Sequence, residues 1–470
     1  MHPPPQPVQD GLPTPARYYA MVVILLGIAI SVLDSTIVNL ALPSIARDLH
    51  STPAETIWVV NAYQLGVLML LLPCAALGDL VGYRRVYLWG LCVLLLGSVG
   101  CVLADSLPVL ILSRAVQGVG SAGVMGVNSA LVRLTYPRAL LGRGIAINSV
   151  TVAVASVAGP SIAALILSVA QWPWLFAINL PLAAGLFLLG LRALPRNNTA
   201  PAPGARLSKI DVLLNAAMFA LVFLGVDALG TRAAASAGAT TAGFATAFAL
   251  LGAGCAVGVV YVRRQLKQPL PLLPVDLLGI RVFALSMCTS VGAFAAQMLS
   301  NIALPFLLLE GLHLSHAQTG LLISAWPLGT VLTAPVAGRL IGRVPAGLLS
   351  AAGLWTMGTG LVLLALLPEA PQHWDIAWRM VLCGIGFGLF QSPNNFTIVT
   401  SAPAHRAGGA SGALGTARQL GQSLGAVLIA IVFSIANPHD GHGPLIALVI
   451  AAVFSFVAGV FSALRARDQR

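Results

Sequence analysis

The chain is 470 residues long, with hydrophobic residues at 58% of its positions and charged residues at only 8%, whereas about a quarter of the residues of a soluble domain are charged. This composition excludes an ordinary soluble globular protein and indicates a chain whose main solvent is lipid. The 25 basic residues against 14 acidic ones give a net charge of +11. Because the basic residues lie in short loops between apolar segments, they indicate a cytoplasmic membrane surface and no nucleic-acid partner.

The predicted elements are fourteen apolar segments of about twenty residues or more, each long enough to cross a hydrocarbon layer of ~30 Å. Lipid offers backbone groups no hydrogen-bond partners, so the segments are predicted to be helices. The fold class is therefore an all-α polytopic membrane protein. The segments are 18–41, 56–77, 86–104, 108–131, 144–168, 173–192, 211–230, 242–262, 283–309, 318–338, 346–367, 377–399, 410–435 and 444–464.

The basic residues separate between the two sides of such a bundle. With fourteen segments, twenty of the 25 fall in the loops and tails of one side; Arg47, Arg232 and Arg379 fall on the other side, and Arg114 and Arg418 within segments. Cytoplasmic loops are enriched in Lys and Arg. Both termini are therefore predicted to be cytoplasmic, in a bacterial inner (plasma) membrane.

A short internal repeat divides the chain. Residues 78–82 after the second segment match 338–342 after the tenth, and Arg114 with 118–120 matches Arg379 with 384–386. Repeated halves around a midplane site are typical of transporters that rock one half against the other, although so short a match also arises by chance. The predicted parts are a disordered cytoplasmic tail (1–17), an N-terminal six-helix bundle (18–192), a linker with two inserted helices (193–282), a C-terminal six-helix bundle (283–464) and a cytoplasmic tail (465–470).

The first segment carries a carboxylate, Asp34, inside an apolar span. An acid at such a depth costs about 2.5–3.5 kcal/mol on insertion scales and is a functional candidate by default. The alternative is a purely structural Asp, bonded to neighbouring Ser, Thr or Asn side chains. The stretch from Leu33 to Pro43, which includes Asn39, resembles the helix-one signature of the fourteen-helix drug:proton antiporter branch of the major facilitator superfamily.

The loop after the second segment, residues 78–85, resembles the gating-loop motif of this superfamily, with Ala75 in place of its leading glycine and Tyr83 in place of one basic residue. Asp79 is expected to pair with one of the arginines or with a helix end, forming a charge latch that breaks when the halves move. A tight solvated turn is the plain alternative. The gating-loop candidates are Asp79, Gly82, Arg84 and Arg85.

Further matches follow along the chain. Residues 114–120 are similar to the buried-arginine motif of the family, so Arg114 is expected to modulate the proton-binding Asp34; an arginine snorkelling to the membrane surface is the alternative. Gln117 is a cavity candidate on the same helix. The fifth segment resembles the antiporter motif at Gly159 and Pro160. The thirteenth resembles the branch at 418–425, which makes Arg418 and Gln419 cavity candidates.

The resemblance implies two six-helix bundles flanking a central cavity, with two inserted helices, and a multidrug efflux antiporter that imports protons and exports amphipathic small molecules. The energy source is then the proton gradient, with no cofactor, no metal and no enzymatic activity. Membrane lipids and, as an open question, a periplasmic adaptor are the further partners. Because Asp34 is the one acid placed well inside a segment, neutral or monocationic substrates are expected in preference to dications. The alternatives are a dedicated exporter of one metabolite, siderophore or lipid-like compound and, from another class, a membrane-embedded sensor or enzyme.

Overall fold

The chain folds into long helices. The computed structural model describes residues 11–51, 53–56, 58–196, 207–233, 241–268, 272–273, 275–368, 371–403, 406–436 and 442–467. Its long helices are α1 (Ala16–Ile37), α2 (Trp58–Val81), α3 (Tyr83–Val102), α4 (Leu107–Thr135), α5 (Leu141–Leu167), α6 (Asn179–Ala193), α7 (Lys209–Ala233), α8 (Thr241–Gln265), α9 (Arg281–Phe306), α10 (Ala325–Leu340), α11 (Ala346–Ala365), α12 (His373–Ser401), α13 (Ala407–Ile435) and α14 (His442–Arg467).

Short helical pieces stand between the long helices and complete the connections. They are the α-helical turns Leu42–Asp48, Pro53–Thr56, Trp174–Ala177, Val275–Leu278 and His316–Ile323, the 3-10 turns Val38–Ala41 and Arg138–Leu140, and a π-helical turn, Leu307–Gly311. The all-α fold class is confirmed within the described ranges.

Each of the fourteen predicted segments coincides with a long helix. Twelve stretches of the described chain are long and apolar enough to cross a membrane, and α12 and α13 are not among them. The reason is visible in α12, which buries Gln391, Ser392 and Asn394. Polar residues of this kind are tolerated where a helix lies inside a bundle and contacts other helices. A count of fourteen membrane-spanning helices therefore stays a prediction.

The apolar core is divided between two groups of helices. One cluster of buried residues draws all its members from α9 to α14 and their connections, between Ala293 and Ala458. Another draws all its members from the region between Ile37 and Phe176. We call these groups the N-terminal half (α1–α6) and the C-terminal half (α9–α14).

The repeat seen in the sequence recurs in the packing of the two halves. Gly82 and Gly342 both adopt positive φ, +104° and +90°, directly after α2 and α10, a backbone conformation that glycine adopts without a steric penalty. Gly118 of α4 lies against the Tyr63 carbonyl of α2, and Gly384 of α12 lies against the Trp326 carbonyl of α10. A side chain at either glycine would overlap backbone, so both helix crossings depend on the missing Cβ.

The two inserted helices form a hairpin beside the halves. Arg264 of α8 pairs with Asp211 of α7 at 2.5 Å. In α7, the amide of Asn215 donates to the Met69 carbonyl of α2 at 2.8 Å, and Phe219 packs against Leu68 of the same helix. The hairpin is therefore attached through α7 to a helix of the N-terminal half.

The chain ends were predicted as a disordered cytoplasmic tail over 1–17 and a cytoplasmic tail over 465–470, and the long helices extend into both ranges. Residues 1–10 and 468–470 lie outside the described residues. Helix α1 already begins at Ala16, and before it Leu12 N–H donates to the Thr135 carbonyl at 3.0 Å. At the other end α14 continues to Arg467, and Arg465 is fully buried. Both ends are ordered this far because backbone or side-chain groups find partners on neighbouring helices.

Substituting the crossing glycines tests this packing. We expect Gly118→Ala and Gly384→Ala each to destabilise the protein by about 1–3 kcal/mol, because the added methyl group meets backbone that cannot move independently. The measurement is the thermal unfolding temperature of the purified protein in detergent.

Gly185→Ala is the matched control, since a Cβ at that position meets no atom within 4 Å. It removes a helical glycine and is expected to leave the unfolding temperature unchanged or slightly raised. Equal unfolding temperatures for all three variants would contradict the close crossings of α4 with α2 and of α12 with α10.

Candidate functional site

Asp34 and Arg114, which the sequence placed 80 residues apart without claiming contact, form a buried ion pair. Arg114 Nη1 lies 2.6 Å from Asp34 Oδ2, and both side chains have an exposed fraction of 0%. The pair joins α1 to α4. The alternative of an arginine that snorkels to the membrane surface is wrong, because the guanidinium is enclosed by protein.

The guanidinium of Arg114 has further partners besides the carboxylate. Nε donates to the Val59 carbonyl of α2 at 3.0 Å, and Nη2 donates to the backbone carbonyl of Asp34 at 3.2 Å. Its carbon also lies 4.4 Å from the centre of the Tyr63 ring and 5.5 Å from that of Phe176, distances at which aromatic faces attract cations. The guanidinium of Arg114 therefore has binding partners besides the carboxylate of Asp34.

Asp34 is likewise held by amide donors. Asn179 Nδ2 of α6 donates to Asp34 Oδ1 at 2.8 Å. Gln117 accepts from Arg114 Nη1 through Oε1 at 2.8 Å and donates through Nε2 to Ser98 of α3 at 2.8 Å. Helices α1, α2, α3, α4 and α6 thus meet in one network, and Gln117, a cavity candidate from the sequence, belongs to it.

Asn179 was missed as a site residue at the sequence level. It lies within the sixth predicted segment, 173–192, from which no candidate residue was taken. The available signal was the polar amide of Asn179 next to the apolar residues Phe176, Ala177 and Leu180, since a polar group inside a membrane forms hydrogen bonds with other helices.

The network ties the charge of Asp34 to the packing of several helices. Without that charge the ion pair with Arg114 would be lost, while the carbonyl and aromatic partners of the guanidinium remain. A neutral Asp34 would therefore hold α4 and α6 less strongly to α1, and Arg114 would keep neutral partners only. The Asp34 carboxylate was the reason to expect monocationic substrates. In this conformation it is paired with Arg114, and the expected preference stays a prediction.

Asp79 lies at a helix end, one of the partners expected for it. Its oxygens accept from the backbone N–H groups of Gly408 at 2.8 Å and Gly409 at 3.0 Å, in the first turn of α13. Tyr83 donates to the same carboxylate at 2.6 Å. A carboxylate is stabilised at a helix N-terminus by the orphan N–H groups and the helix dipole, so Asp79 connects α2 of one half to α13 of the other.

Arg133 makes the complementary contact beside it. Its guanidinium donates to the carbonyls of Val399 at 2.7 Å and Ala402 at 3.0 Å, at the C-terminal end of α12. Asp79 thus binds the start of α13, and Arg133 binds the end of α12. Both residues belong to the N-terminal half. The sequence signal for Arg133 was weak, because it was one of many basic residues near helix ends.

The two arginines of the gating loop bind elsewhere. Arg84 donates to the Leu191 carbonyl at the end of α6, and Arg85 to the Val81 carbonyl at 3.4 Å. Of the partners proposed for Asp79, the structure thus shows the helix end and not these arginines. Gly82 supplies the positive-φ turn that allows α3 to begin directly after α2.

The remaining candidates fall on α5, α13 and the end of α1. Gly159 lies against Thr36 of α1, where a Cβ would overlap the hydroxyl. Arg418 and Gln419 are half-buried on α13. The side chains of Asn39 and Pro160 lie outside the described part of the structure.

Arg465 was assigned to a cytoplasmic tail and instead points into the C-terminal half. Its Nη1 donates to Ser286 of α9 at 2.6 Å and to Asn394 of α12 at 2.5 Å. Three helices meet at this side chain. The sequence concealed it, because an arginine at the end of a predicted segment is usually at the membrane surface.

Comparison with known proteins gives the family context. A family model described as Major Facilitator Superfamily matches residues 24–426 and 285–469. The human organic anion transporter MFSD10 (TETRAN) has a similar solved structure, with a TM-score of 0.68 over 96% of this chain and 100% of that one. At 14% sequence identity, this likeness shows a shared fold alone.

Three relatives match over most of their length. The uncharacterized transporter YebQ of Escherichia coli is 50% identical over 98% of each chain. The riboflavin transporter RibZ of Clostridioides difficile is 29% identical over 89% of this chain and 88% of its own. The multidrug resistance protein Stp of Mycobacterium tuberculosis is 32% identical over 88% of this chain and 76% of its own.

The ion pair of Asp34 and Arg114 can be tested by stability alone. We expect Arg114→Gln to destabilise the protein by about 3–5 kcal/mol, because it leaves a buried carboxylate without its counter-charge. Combining it with Asp34→Asn should recover most of that loss. The measurement is thermal unfolding of the two single variants and the double variant; purely additive losses would contradict the pairing.

Proposed function

Since the chain belongs to the major facilitator superfamily and is a transporter, not an enzyme, we propose that it is a proton-coupled secondary transporter that exports amphipathic small molecules. The observation that carries the proposal is the fully buried pair of Asp34 and Arg114. When this carboxylate gains a proton, the guanidinium loses its counter-charge but keeps backbone carbonyls, the Gln117 oxygen and two aromatic rings as partners, which lowers the cost of the change.

The network gives protonation a mechanical consequence. With Asp34 charged, α1 is tied to α4 through Arg114 and to α6 through Asn179. A proton on Asp34 weakens both ties, because a neutral acid attracts neither guanidinium nor amide donors as strongly. Protonation therefore changes the relative energy of two arrangements of the N-terminal half, which is what coupling requires.

The contacts between the halves supply the second element, a latch formed by Asp79 and Arg133 on the connection between α12 and α13. We propose that the latch holds the transporter closed at the end of the bundle that bears most arginines. That end is the cytoplasmic one if the basic loops follow the usual membrane asymmetry. Both termini then lie in the cytoplasm of a bacterial inner membrane, and this conformation opens toward the opposite side.

The substrate class rests on the relatives. Stp is named a multidrug resistance protein, which supports export of varied compounds. RibZ is named a riboflavin transporter, which supports the alternative of one dedicated metabolite. Either substrate would bind between the halves, where transporters with repeated halves form their midplane site.

Transport by Asp34 variants tests the proposed coupling. In proteoliposomes with an imposed pH gradient, the wild type should accumulate a substrate found in a panel of anionic, neutral and cationic compounds. Asp34→Asn should abolish accumulation against a gradient and leave downhill exchange, because it retains the amide partners but binds no proton. Asp34→Glu should keep part of the coupling.

The control for these variants is Asp375→Asn, which removes a carboxylate that pairs with Arg379 within α12. It should transport as the wild type does. Gradient-driven accumulation by Asp34→Asn would place the coupling group elsewhere, and a wild type that responds to no compound in a broad panel would count against proton-coupled export.

The latch predicts a separate kinetic effect for Asp79. Asp79→Asn should lower the turnover rate several-fold while leaving the substrate dissociation constant within about twofold, because the lost helix-end charge of ~0.3–2 kcal/mol biases conformations and touches no substrate. Initial transport rates and equilibrium binding measure the two quantities. Lost binding with unchanged turnover would remove Asp79 from the latch.

A further inference from the structure

Arg418 is a cation near the middle of α13 that has no protein counter-charge. It follows Ala407 by 11 residues in a helix of 29, or about 16 Å along the axis. Among the described residues no hydrogen bond or ion pair reaches its guanidinium, and the side chain is half-buried. A partly solvated, unpaired charge at this depth is a functional candidate, since membrane interiors penalise it strongly.

The position of Arg418 on α13 directs it toward the other half. Ser411, seven residues earlier, accepts from the backbone N–H of Ser129 on α4 at 3.2 Å. Residues seven apart lie on nearly the same helix face, so Arg418 continues this face two turns beyond the contact. Gly421 and Gly425, three and seven residues after Arg418, pack against α9, so Arg418 lies at the border between the surface of α13 that meets the N-terminal half and the surface that meets α9.

An aromatic wall lies on the other side of the guanidinium. Its carbon is 5.7 Å from the ring centre of Phe294 on α9. That ring packs edge to face against Phe387 and Phe390 of α12, with centre distances of 5.7 and 6.3 Å. The wall holds the cation by its aromatic face but cannot donate or accept the planar, paired hydrogen bonds that a guanidinium forms with an oxyanion.

The acids whose side chains the structure describes in the long helices already have partners: Asp34 with Arg114, Asp79 with the start of α13, Asp211 with Arg264, and Asp375 with Arg379. Arg465 also has neutral partners only, but it is fully buried among α9, α12 and α14. The space between the halves therefore carries the unbalanced positive charge of Arg418. Such a space attracts anions and repels cations.

We propose that Arg418 binds the anionic group of the transported substrate, which is an amphipathic organic anion bearing a carboxylate, sulfonate or similar oxyanion. This inference rests on the proposed function and replaces the neutral or monocationic substrates expected from the sequence with organic anions. The oxyanion pairs with the guanidinium, and the aromatic wall excludes water from one side of the pair.

Binding of two probes that differ by one charged group tests the proposal. The probes are anilinonaphthalene sulfonate and N-phenylnaphthylamine, which share a ring system and differ by the sulfonate. Equilibrium binding to the full-length protein in lipid nanodiscs is measured, with empty nanodiscs as background. Arg418→Gln should weaken binding of the sulfonate about tenfold and change binding of the neutral probe less than about twofold.

Three further variants separate charge from structure. Arg418→Lys keeps the charge without the planar fork and should weaken sulfonate binding less than Arg418→Gln does. Gln422→Glu, one turn away on the helix, gives Arg418 an internal counter-charge and should weaken sulfonate binding by a similar tenfold even if Arg418→Gln does not fold. Arg343→Gln removes an exposed arginine of the same half and should change neither probe.

The outcomes distinguish this inference from the proposed function. Equal loss of both probes, unchanged sulfonate binding in both Arg418→Gln and Gln422→Glu, or a wild type that prefers ethidium or the neutral probe would each overturn the anion site. Charge-selective binding that depends on Arg418, in a protein that transports nothing in response to a pH gradient, would instead overturn proton-coupled export and leave the anion site in place.

Discussion

A charge removed from water must be matched by the protein, and the N-terminal half is organised around one such match. Arg114 is surrounded by the Asp34 carboxylate, two backbone carbonyls, the Gln117 amide and two aromatic rings. These partners come from several helices, so each helix is positioned by its distance to the same guanidinium. Replacing such a pair by apolar groups often costs nothing in stability. Stability alone therefore does not account for this pair, which is why the proposed function assigns it a role in coupling.

The contact between the halves uses weaker and more exposed interactions, as a contact that must break requires. Asp79 and Arg133 bind backbone groups at the two ends of a single connection, between α12 and α13. Because helix ends carry partial charges of opposite sign, one acid and one base hold the connection without a salt bridge across the halves. Within each half, by contrast, the helices cross so closely at Gly118 and Gly384 that a side chain there would overlap backbone.

Much of this architecture could be predicted from the sequence, because lipid imposes a simple rule on apolar segments and Lys and Arg mark one side of the membrane. Asp34, Arg114 and Asp79 were identified because charged residues in or beside apolar spans are few. Their partners were not: Asn179, Tyr83 and Arg133 are ordinary residues whose role depends on which helices are neighbours. Arg465 was assigned to a tail because hydropathy predicts that a membrane helix ends where charged residues begin. In the structure the helix continues, and Arg465 is buried against Ser286 and Asn394. The buried polar residues of α12 likewise reflect the position of this helix inside the bundle, which a linear pattern does not contain.

The unpaired charge of Arg418 also bears on the electrical work of transport. Export of a monovalent anion in exchange for one inward proton moves two elementary charges in the same electrical direction. Each charge that crosses a membrane potential of 100 mV is worth about 2.3 kcal/mol. With the interior negative, the voltage would then assist both movements, whereas a monocation exchanged for one proton would move no net charge. With Arg418 as the anion-binding residue, the membrane voltage would thus contribute to the driving force in addition to the pH difference.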